Sequence, residues 1–191
     1  MSADHVVVKL GGSLLADPAR LRARRAQLAA GAAGPCLIVP GGGPFAEAVR
    51  TAQAALGFGD ALAHRLALDA MGRMAEVFRA IEPGLEIFAT VLPSSAGEGS
   101  GARVWDPCAL RAGHPDIPES WAVTSDSLAL WLARETGARA CILVKSADAP
   151  AGSGPADWAR LGLVDAAFPA FAARYPGTIR IEGPAQGRVA A

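Results

Sequence analysis

Cysteine is scarce in this 191-residue sequence, long apolar runs are absent, and the formal net charge is zero. The three cysteines, Cys36, Cys108 and Cys141, are odd in number and lack CxxC spacing, which argues against a disulfide framework or a structural zinc site. Because 18 basic residues balance 18 acidic ones, the chain offers no positive field to nucleic acid or to a membrane surface. No apolar run reaches the roughly 18 residues of a transmembrane helix, and no signal peptide is recognisable. We therefore expect a soluble, cytoplasmic protein that binds neither nucleic acid nor membranes.

Lysine is the rarest of the charged residue types. Only Lys9 and Lys145 are lysines among the 18 basic residues, and the other 16 are arginines. Compositional drift toward arginine and alanine explains the bias in general. A lysine that persists in such a chain is a candidate for a role that needs a compact, flexible charge rather than a planar guanidinium. The alternative is that both lysines simply extend from strand ends toward solvent.

Short apolar runs alternate with segments of helical periodicity along the chain. The apolar runs predict strands at residues 5–10, 36–39, 86–92, 102–105, 140–145 and 178–182. Between these runs, the periodicity predicts helices at residues 18–30, 44–56, 60–81, 124–136, 156–161 and 165–174. The alternation predicts an α/β fold with a mainly parallel sheet covered on both faces, in a single domain over residues 1–191.

Two glycine-rich loops follow predicted strands. Gly11-Gly12-Ser13 comes after the first strand and Gly41-Gly42-Gly43 after the second. Because ligands of parallel sheets bind at the carboxyl ends of the strands, both loops lie at the expected ligand edge. Glycine allows close backbone approach, and each loop leads toward a helix whose free N–H groups favour anions. Neither loop is a Walker A or GxGxxG motif, so the pattern indicates a polyphosphate or two phosphorylated ligands rather than a dinucleotide.

Both lysines end predicted strands at this same edge. Ser125 and Asp126 begin a predicted helix, and Asp148 follows Lys145 in a loop. Phosphoryl transfer uses such groups, because lysines neutralise the non-bridging oxygens and a carboxylate orients the lysines. The simpler alternatives are that Asp126 interacts with the helix dipole and that Asp148 is a turn residue.

Three sequence blocks occur in a fixed order: VVVKLGGSLL, IVPGGGPFAEAVR and VTSDSLALWLARETGARACILVKSAD. Together they resemble the amino acid kinase superfamily over about residues 5–150. The resemblance implies a three-layer αβα sandwich, phosphoryl transfer from ATP with Mg²⁺, and a homo-oligomer such as a dimer. We assign no side chain as a metal ligand.

The same resemblance implies the catalytic residues. Lys9 would contact the transferring phosphoryl group, and Asp126 matches the aspartate that organises the catalytic lysines. Related kinases often place their second lysine later in the chain, where this sequence has none. Lys145 is therefore the candidate for that second role.

The resemblance also distributes the binding residues. Gly11-Gly12-Ser13 would cradle the nucleotide phosphates, and Asp148 lies in the segment that corresponds to the nucleotide-site loop. Gly41-Gly42-Gly43 would face the acceptor substrate, and we place Ser125 on the same side.

Within the superfamily, the segments HRLALDAM, WDP and PESWAVTSDS resemble the small kinases of methanofuran biosynthesis. This narrower resemblance implies that (5-(aminomethyl)furan-3-yl)methyl phosphate is converted to its diphosphate, as a step in making a one-carbon carrier. Other acceptors stay open: an amino acid, UMP or isopentenyl phosphate. So does a non-catalytic nucleotide- or oxyanion-binding protein, because the chain after Lys145 is short.

Three further side chains have more than one interpretation. His64, at the start of a predicted helix, is expected to be a surface or capping residue rather than a ligand. Trp105 and Trp121 could stack on a flat furan ring, or they could fill the core or a dimer interface, and we expect both in the core.

Overall fold

The computed structural model describes residues 3–89 and 101–185. The strands are β1 (Ala3–Leu10), β2 (Cys36–Pro40), β3 (Glu86–Phe88), β4 (Ala102–Trp105), β5 (Ala138–Val144) and β6 (Thr178–Glu182). They form one sheet in the order β3-β4-β2-β1-β5-β6, and every neighbouring pair is parallel. The prediction that the first strand is central is confirmed, because β1 lies between β2 and β5.

Six α-helices connect these strands: α1 (Pro18–Ala29), α2 (Gly43–Leu56), α3 (Asp60–Ile81), α4 (Ser125–Thr136), α5 (Pro155–Arg160) and α6 (Phe168–Ala172). Local sequence explains their ends. The Asp17 side chain accepts the Arg20 N–H at the start of α1 (3.1 Å), and Pro18 occupies the first turn. Gly57 and Gly137 end α2 and α4 in the left-handed conformation that glycine adopts without strain.

Side chains of β1 alternate between two cores, one on each face of the sheet. Val6 and Val8 pack in the core that includes residues of α1 and of the second half of α3. Val7 packs in the other core, which includes α4, α5 and α6. This alternation has the period of two that strand geometry dictates. The predicted three-layer αβα sandwich with a parallel sheet is therefore confirmed.

Trp105 and Trp131 pack against each other in the core that includes α4, α5 and α6. Both are 1% exposed, and their rings stack with centroids 6.0 Å apart at 26°. Such aromatic pairs contribute roughly 0.5–1.5 kcal/mol beyond the area they bury. The expectation that Trp105 is a core residue is confirmed.

Most predicted elements differ from the structure by at most two residues at either end, and two differ by more. The third strand ends at Phe88, and Ala89 lies outside it. Residues 90–92 of its predicted span, with nearly all of the Gly/Ser-rich segment after it, lie outside the described residues. The predicted helix at 165–174 begins only at Phe168, because Asp165 and Ala167 bond to the segment 122–127 instead of starting a helix. Within residues 3–89 and 101–185, no helix has the length and apolar character needed to cross a membrane.

Candidate active site

Lys9, Lys145 and Asp126 meet at the carboxyl edge of the sheet. Lys9 lies on the same face of β1 as Val7, and Lys145 follows β5 on the face of Leu143. Since Lys9 pairs with Leu143 in the parallel ladder, the two lysines end neighbouring strands on the face that α4 covers. The Nζ of Lys9 lies 2.8 Å from Asp126 Oδ1, and the Nζ of Lys145 lies 2.7 and 2.6 Å from Asp126 Oδ1 and Oδ2. One carboxylate therefore bridges two ammonium groups.

This cluster is buried and carries an excess positive charge. The exposed fractions are 5% for Lys9, 5% for Asp126 and 8% for Lys145. Burial acts to raise the pKa of Asp126, but the two lysines outweigh it and hold that pKa below its ordinary value. Burial and then the charge of Lys9 lower the pKa of Lys145 to about 8, although Asp126 opposes the shift. By formal charge the cluster holds two cations and one anion, an arrangement suited to an anionic ligand.

Asp165 holds the start of α4, where Asp126 lies. Its Oδ2 accepts the N–H and the hydroxyl of Thr124 (both 2.8 Å) and the N–H of Ser127 (3.0 Å), and its Oδ1 accepts the Ser127 hydroxyl. Burial raises the pKa of Asp165, with these hydrogen bonds opposing the shift. The sequence interpretation missed this residue, because an aspartate ahead of an apolar run is typical of the start of its own helix.

The two glycine loops touch each other through their backbones. A Cβ on Gly12 would lie 2.7 Å from Gly43 Cα, and one on Gly41 would lie 2.7 Å from Gly12 N. The N–H of Gly41 donates to the carbonyl oxygen of Leu10 (2.8 Å), which ties the second loop to the end of β1. Gly43 has φ of +54°, in the region that glycine favours. The glycines of both loops are therefore needed for the close approach.

Two adjoining cavities open at this edge. The first, about 410 Å³, lies against both glycine loops, α2, the first half of α3 and the start of α4. The second, about 460 Å³, contains Asp126 and Lys145 and extends over residues 146–147 and 162–165. The residues that line both cavities are Ser13, Arg50, Trp121 and Thr124. Two ligands bound in these cavities would meet beside the lysine–aspartate cluster.

Most of the predicted binding residues line the cavities, and Gly11 lies beside Lys9. Gly12, the loop Gly41-Gly42-Gly43 and Ser125 line the first cavity, and Ser13 lines both. Gly11 connects Lys9 to this loop: a Cβ on it would lie 3.2 Å from Lys9 Nζ. The geometry therefore brings these residues to one site, while their binding roles stay predictions.

Asp148 lies apart from both cavities. Its side chain is exposed and accepts the N–H of Ala185 (3.1 Å), beyond the end of β6. A carboxylate in this place organises the chain after β6. The assignment of Asp148 to the nucleotide phosphates stays a prediction.

Two side chains lie elsewhere than the sequence predicts. His64 is 4% exposed, lines the first cavity and has Nδ1 3.3 Å from the carbonyl oxygen of Ser120, so the expectation of a surface or capping residue is wrong. Burial lowers the pKa of His64, so its ring is neutral at pH 7. Trp121 is half-buried and lines both cavities, so the expectation of a core residue is wrong for it.

The carboxylates of this site are already engaged. Asp126 is bound to two lysines and Asp165 to four donors. Within residues 3–89 and 101–185, no group of three His, Cys, Asp or Glu side chains is placed to hold a metal ion. These residues fit a Mg²⁺ that arrives bound to nucleotide phosphates and water, as Mg²⁺ commonly does.

Comparison with solved structures identifies the fold. The uridylate kinase from Archaeoglobus fulgidus superposes with a TM-score of 0.64 at 19% identity, covering 92% of this chain and 89% of that one. The UMP kinase from Bacillus anthracis gives 0.64 at 14% identity, with 94% and 87% covered. The UMP kinase from Ureaplasma parvum gives 0.66 at 13% identity, with 95% and 90% covered.

Sequence comparison agrees with the fold. A curated relative, the [5-(aminomethyl)furan-3-yl]methyl phosphate kinase of Methanocaldococcus jannaschii, is 30% identical over 143 residues, which is 74% of this chain and 66% of the relative. Residues 4–84, which carry Lys9 and both glycine loops, match the family described as "Amino acid kinase family". By this match, this relative and this fold, the chain belongs to the amino acid kinase family.

Proposed function

We propose that the chain is an ATP-dependent phosphotransferase that acts on a small phosphorylated acceptor. The observation that carries the proposal is the buried Lys9–Asp126–Lys145 cluster beside the junction of two cavities. Its excess positive charge suits a transferring phosphoryl group, where catalysis consists mostly of positioning and charge stabilisation. ATP would occupy the second cavity and the acceptor the first.

The proposed reaction needs no proton transfer. An oxygen of the acceptor phosphate attacks the γ-phosphorus of ATP, a new P–O bond forms, and the bond to the β,γ-bridging oxygen breaks. A dianionic phosphate ester and ATP⁴⁻ give a trianionic diphosphate and ADP³⁻, so charge and atoms balance. Because the second pKa of a phosphate ester is about 6, the nucleophile is already dianionic at pH 7. The reaction therefore needs no general base, in keeping with a neutral His64 and with an Asp126 that is already paired with two lysines.

The residues of the chain have distinct tasks in this scheme. Lys9 and Lys145 neutralise the oxygens of the transferring group, and Asp126 fixes where the two ammonium groups lie. The loop Gly11-Gly12-Ser13 would hold the nucleotide phosphates through backbone N–H groups at the junction of the two cavities, both of which Ser13 lines. The loop Gly41-Gly42-Gly43 would face the acceptor. Mg²⁺, when bound, neutralises phosphate charge.

The first cavity supports a flat, phosphorylated acceptor. Trp121 presents an aromatic face, and Arg50 stacks on its ring with Cζ 4.1 Å from the centroid. Arg50 is the cation among the residues that line both cavities, so its guanidinium lies where an acceptor phosphate would meet ATP. Together with the activity in the name of the archaeal relative, this favours (5-(aminomethyl)furan-3-yl)methyl phosphate as acceptor and its diphosphate, a one-carbon carrier precursor, as product.

A coupled assay of ADP release tests the activity. Purified protein with ATP–Mg²⁺ is offered the aminomethylfuran phosphate, isopentenyl phosphate, acetylglutamate and UMP, and the first is expected to give the highest kcat/KM. Lys9→Met is expected to lower kcat by about 10²-fold or more. The variant should still fold, which a cooperative thermal unfolding transition would show. Arg73→Met, which removes an exposed cation of α3, is the matched control and should leave kcat unchanged. Turnover by Lys9→Met near that of the wild type would refute the role of the cluster.

A non-catalytic nucleotide- or oxyanion-binding protein is the second candidate. A buried cluster with excess positive charge beside a cavity would bind such an anion whether or not transfer follows. Calorimetric titration with ATP–Mg²⁺ separates the two candidates, because tight binding without ADP release for any acceptor would favour the binding protein. A homodimer, expected from the family resemblance, is a separate proposal that sedimentation equilibrium tests.

A further inference from the structure

The first turn of α4 has an unusual source of its capping hydrogen bonds. The first N–H groups of any helix lack partners within the helix, and the side chain of the N-cap residue commonly accepts one of them. Thr124 is the N-cap residue of α4, but its side chain makes no such bond. Its hydroxyl donates instead to Asp165, which also accepts the N–H groups of Thr124 and Ser127.

Asp165 thereby holds α4 on both sides of Asp126. Thr124 precedes Asp126 by two residues and Ser127 follows it directly, and both give Asp165 a backbone and a side-chain hydrogen bond. A shift of this turn by an ångström would break the contacts of 2.6–2.8 Å between Asp126 and the lysines.

The segment that carries Asp165 is itself anchored. Val164 and Phe168, on either side of it, are 6% and 0% exposed in the core that includes α4. The N–H of Ala167 donates to the carbonyl oxygen of Ala122 (2.9 Å), which joins the segment to the chain just before α4. Asp165 is therefore a fixed point against which the first turn of α4 is set.

We propose that Asp165 is a positioning residue, which fixes Asp126 between Lys9 and Lys145 so that the cluster is preorganised for phosphoryl transfer. The proposal rests on the proposed function for its effect on turnover, but the placement of Asp126 is testable without activity. The charged groups that bear on Lys145 are Lys9 from β1 and Asp126 from α4, while Arg20 of α1 bonds to the carbonyl oxygen of Lys145 (2.6 Å) and Asp165 lies behind Asp126. Displacing Asp126 therefore leaves Lys145 facing Lys9 with less compensation.

The first test is kinetic. Asp165→Asn has one side-chain oxygen in place of two, so it cannot accept all four bonds. It is expected to lower kcat about 10- to 100-fold while the KM values for ATP and acceptor change less than about threefold. Asp165 lines the second cavity, but both of its carboxylate oxygens are already engaged by Thr124 and Ser127 rather than open to a ligand. Asp157→Asn is the matched control, since Asp157 accepts the N–H of Gly154 (3.2 Å) at the start of α5 and pairs there with Arg160, so its loss should affect stability alone.

The second test uses the lysines as reporters. Because the chain has two lysines, ¹³Cε-lysine labelling yields two side-chain NMR signals, whose pH titrations are followed without any substrate. In Asp165→Asn the titration midpoint of Lys145 should fall by at least half a pH unit from the wild type, while Asp157→Asn leaves it unchanged. This readout stands even if no acceptor is phosphorylated, so failure of the proposed function and failure of the positioning role are distinguishable.

A milder variant covers the case in which Asp165→Asn does not fold. Ser127→Ala removes one hydroxyl donor and keeps both backbone bonds to Asp165, so it should shift the Lys145 titration in the same direction by a smaller amount. A folded Asp165→Asn with the wild-type Lys145 titration and with kcat within twofold of the wild type would overturn the proposal. If Asp165→Asn is unfolded, an unchanged Lys145 titration in Ser127→Ala would overturn it.

Discussion

Replacing Asp126 by asparagine removes the carboxylate that lies between two buried ammonium groups. The wild-type contacts of 2.6–2.8 Å give a gross attraction of about 6 kcal/mol per pair at an effective dielectric constant near 20. Asparagine keeps the shape but not the charge. The variant must then bury two cations, or release a proton from one of them.

Proton release limits the loss of stability. The pKa of Lys145 is already lowered to about 8 by burial and by Lys9, so Lys145 is the group that becomes neutral in the variant. Neutralising a lysine of ordinary pKa near 10.4 at pH 7 costs about 5 kcal/mol. This cost is an upper limit to the loss, because the variant can always release the proton. Breaking a buried ion pair typically costs roughly 3–5 kcal/mol, so we expect Asp126→Asn to lower the free energy of unfolding by about 3–5 kcal/mol at pH 7.

The predicted loss depends on pH with a definite sign. In the variant, folded Lys145 is neutral while unfolded Lys145 binds a proton, so stability rises by about 1.4 kcal/mol per pH unit. Wild-type Lys145 is still largely protonated at pH 7 and about half protonated at pH 8, so wild-type stability rises less. The difference between the two proteins should therefore shrink by about 1 kcal/mol between pH 7 and pH 8.

Urea unfolding at both pH values measures these differences. Glu76→Gln, which removes an exposed carboxylate of α3, serves as the control and should change stability by less than about 0.5 kcal/mol. The double variant Lys9→Met/Asp126→Asn should be more stable than Asp126→Asn alone, because it buries one cation fewer. A double variant that is less stable, or a loss at pH 7 below about 1 kcal/mol, would refute the electrostatic reasoning.

Four further outcomes are expected. The kcat/KM should fall as pH rises through about 8, since Lys145 then loses its charge. Lys9→Met should raise the NMR titration midpoint of Lys145, because the variant removes a neighbouring cation. Gly12→Ala should lower the free energy of unfolding by about 1–3 kcal/mol and also reduce turnover, since its Cβ would lie 2.7 Å from the Gly43 backbone, whereas Gly84→Ala, with open space around it, should do neither. Arg50→Gln should raise the KM for a phosphorylated acceptor about 10-fold or more, because charge-assisted hydrogen bonds to phosphate would be lost, and should raise the KM for ATP by less. An unchanged acceptor KM would contradict the place given to Arg50.

The expectations that came from local pattern agree well with the structure. The scarcity of lysine drew attention to Lys9 and Lys145, and the apolar runs before them placed both at strand ends. A period of two along β1 and β5 then determines which face each lysine occupies. The rule that parallel strands bind ligands at their carboxyl ends supplied the shared edge.

The expectations that failed concern residues whose surroundings come from distant parts of the chain. His64 is buried because α3 packs beside Ser120, and Trp121 is half-buried because Gln53 of α2 accepts its Nε1–H (2.6 Å). Asp165 bonds to residues about 40 positions earlier. Local sequence carries no information on such partners, because a capping aspartate looks the same whichever helix start it serves.

The sequence by itself determined the strand and helix order, the two glycine loops and the choice of the two lysines and Asp126 as candidates. These features follow from periodicity, backbone freedom and side-chain chemistry, which act over a few residues. Tertiary structure alone decided that β1 lies beside β5, that one carboxylate bridges both lysines, and that Asp165 holds that carboxylate in place. The physical reason is that a buried charge is tolerated only beside a partner, and the partners here are separated by about 20 to 120 positions along the chain.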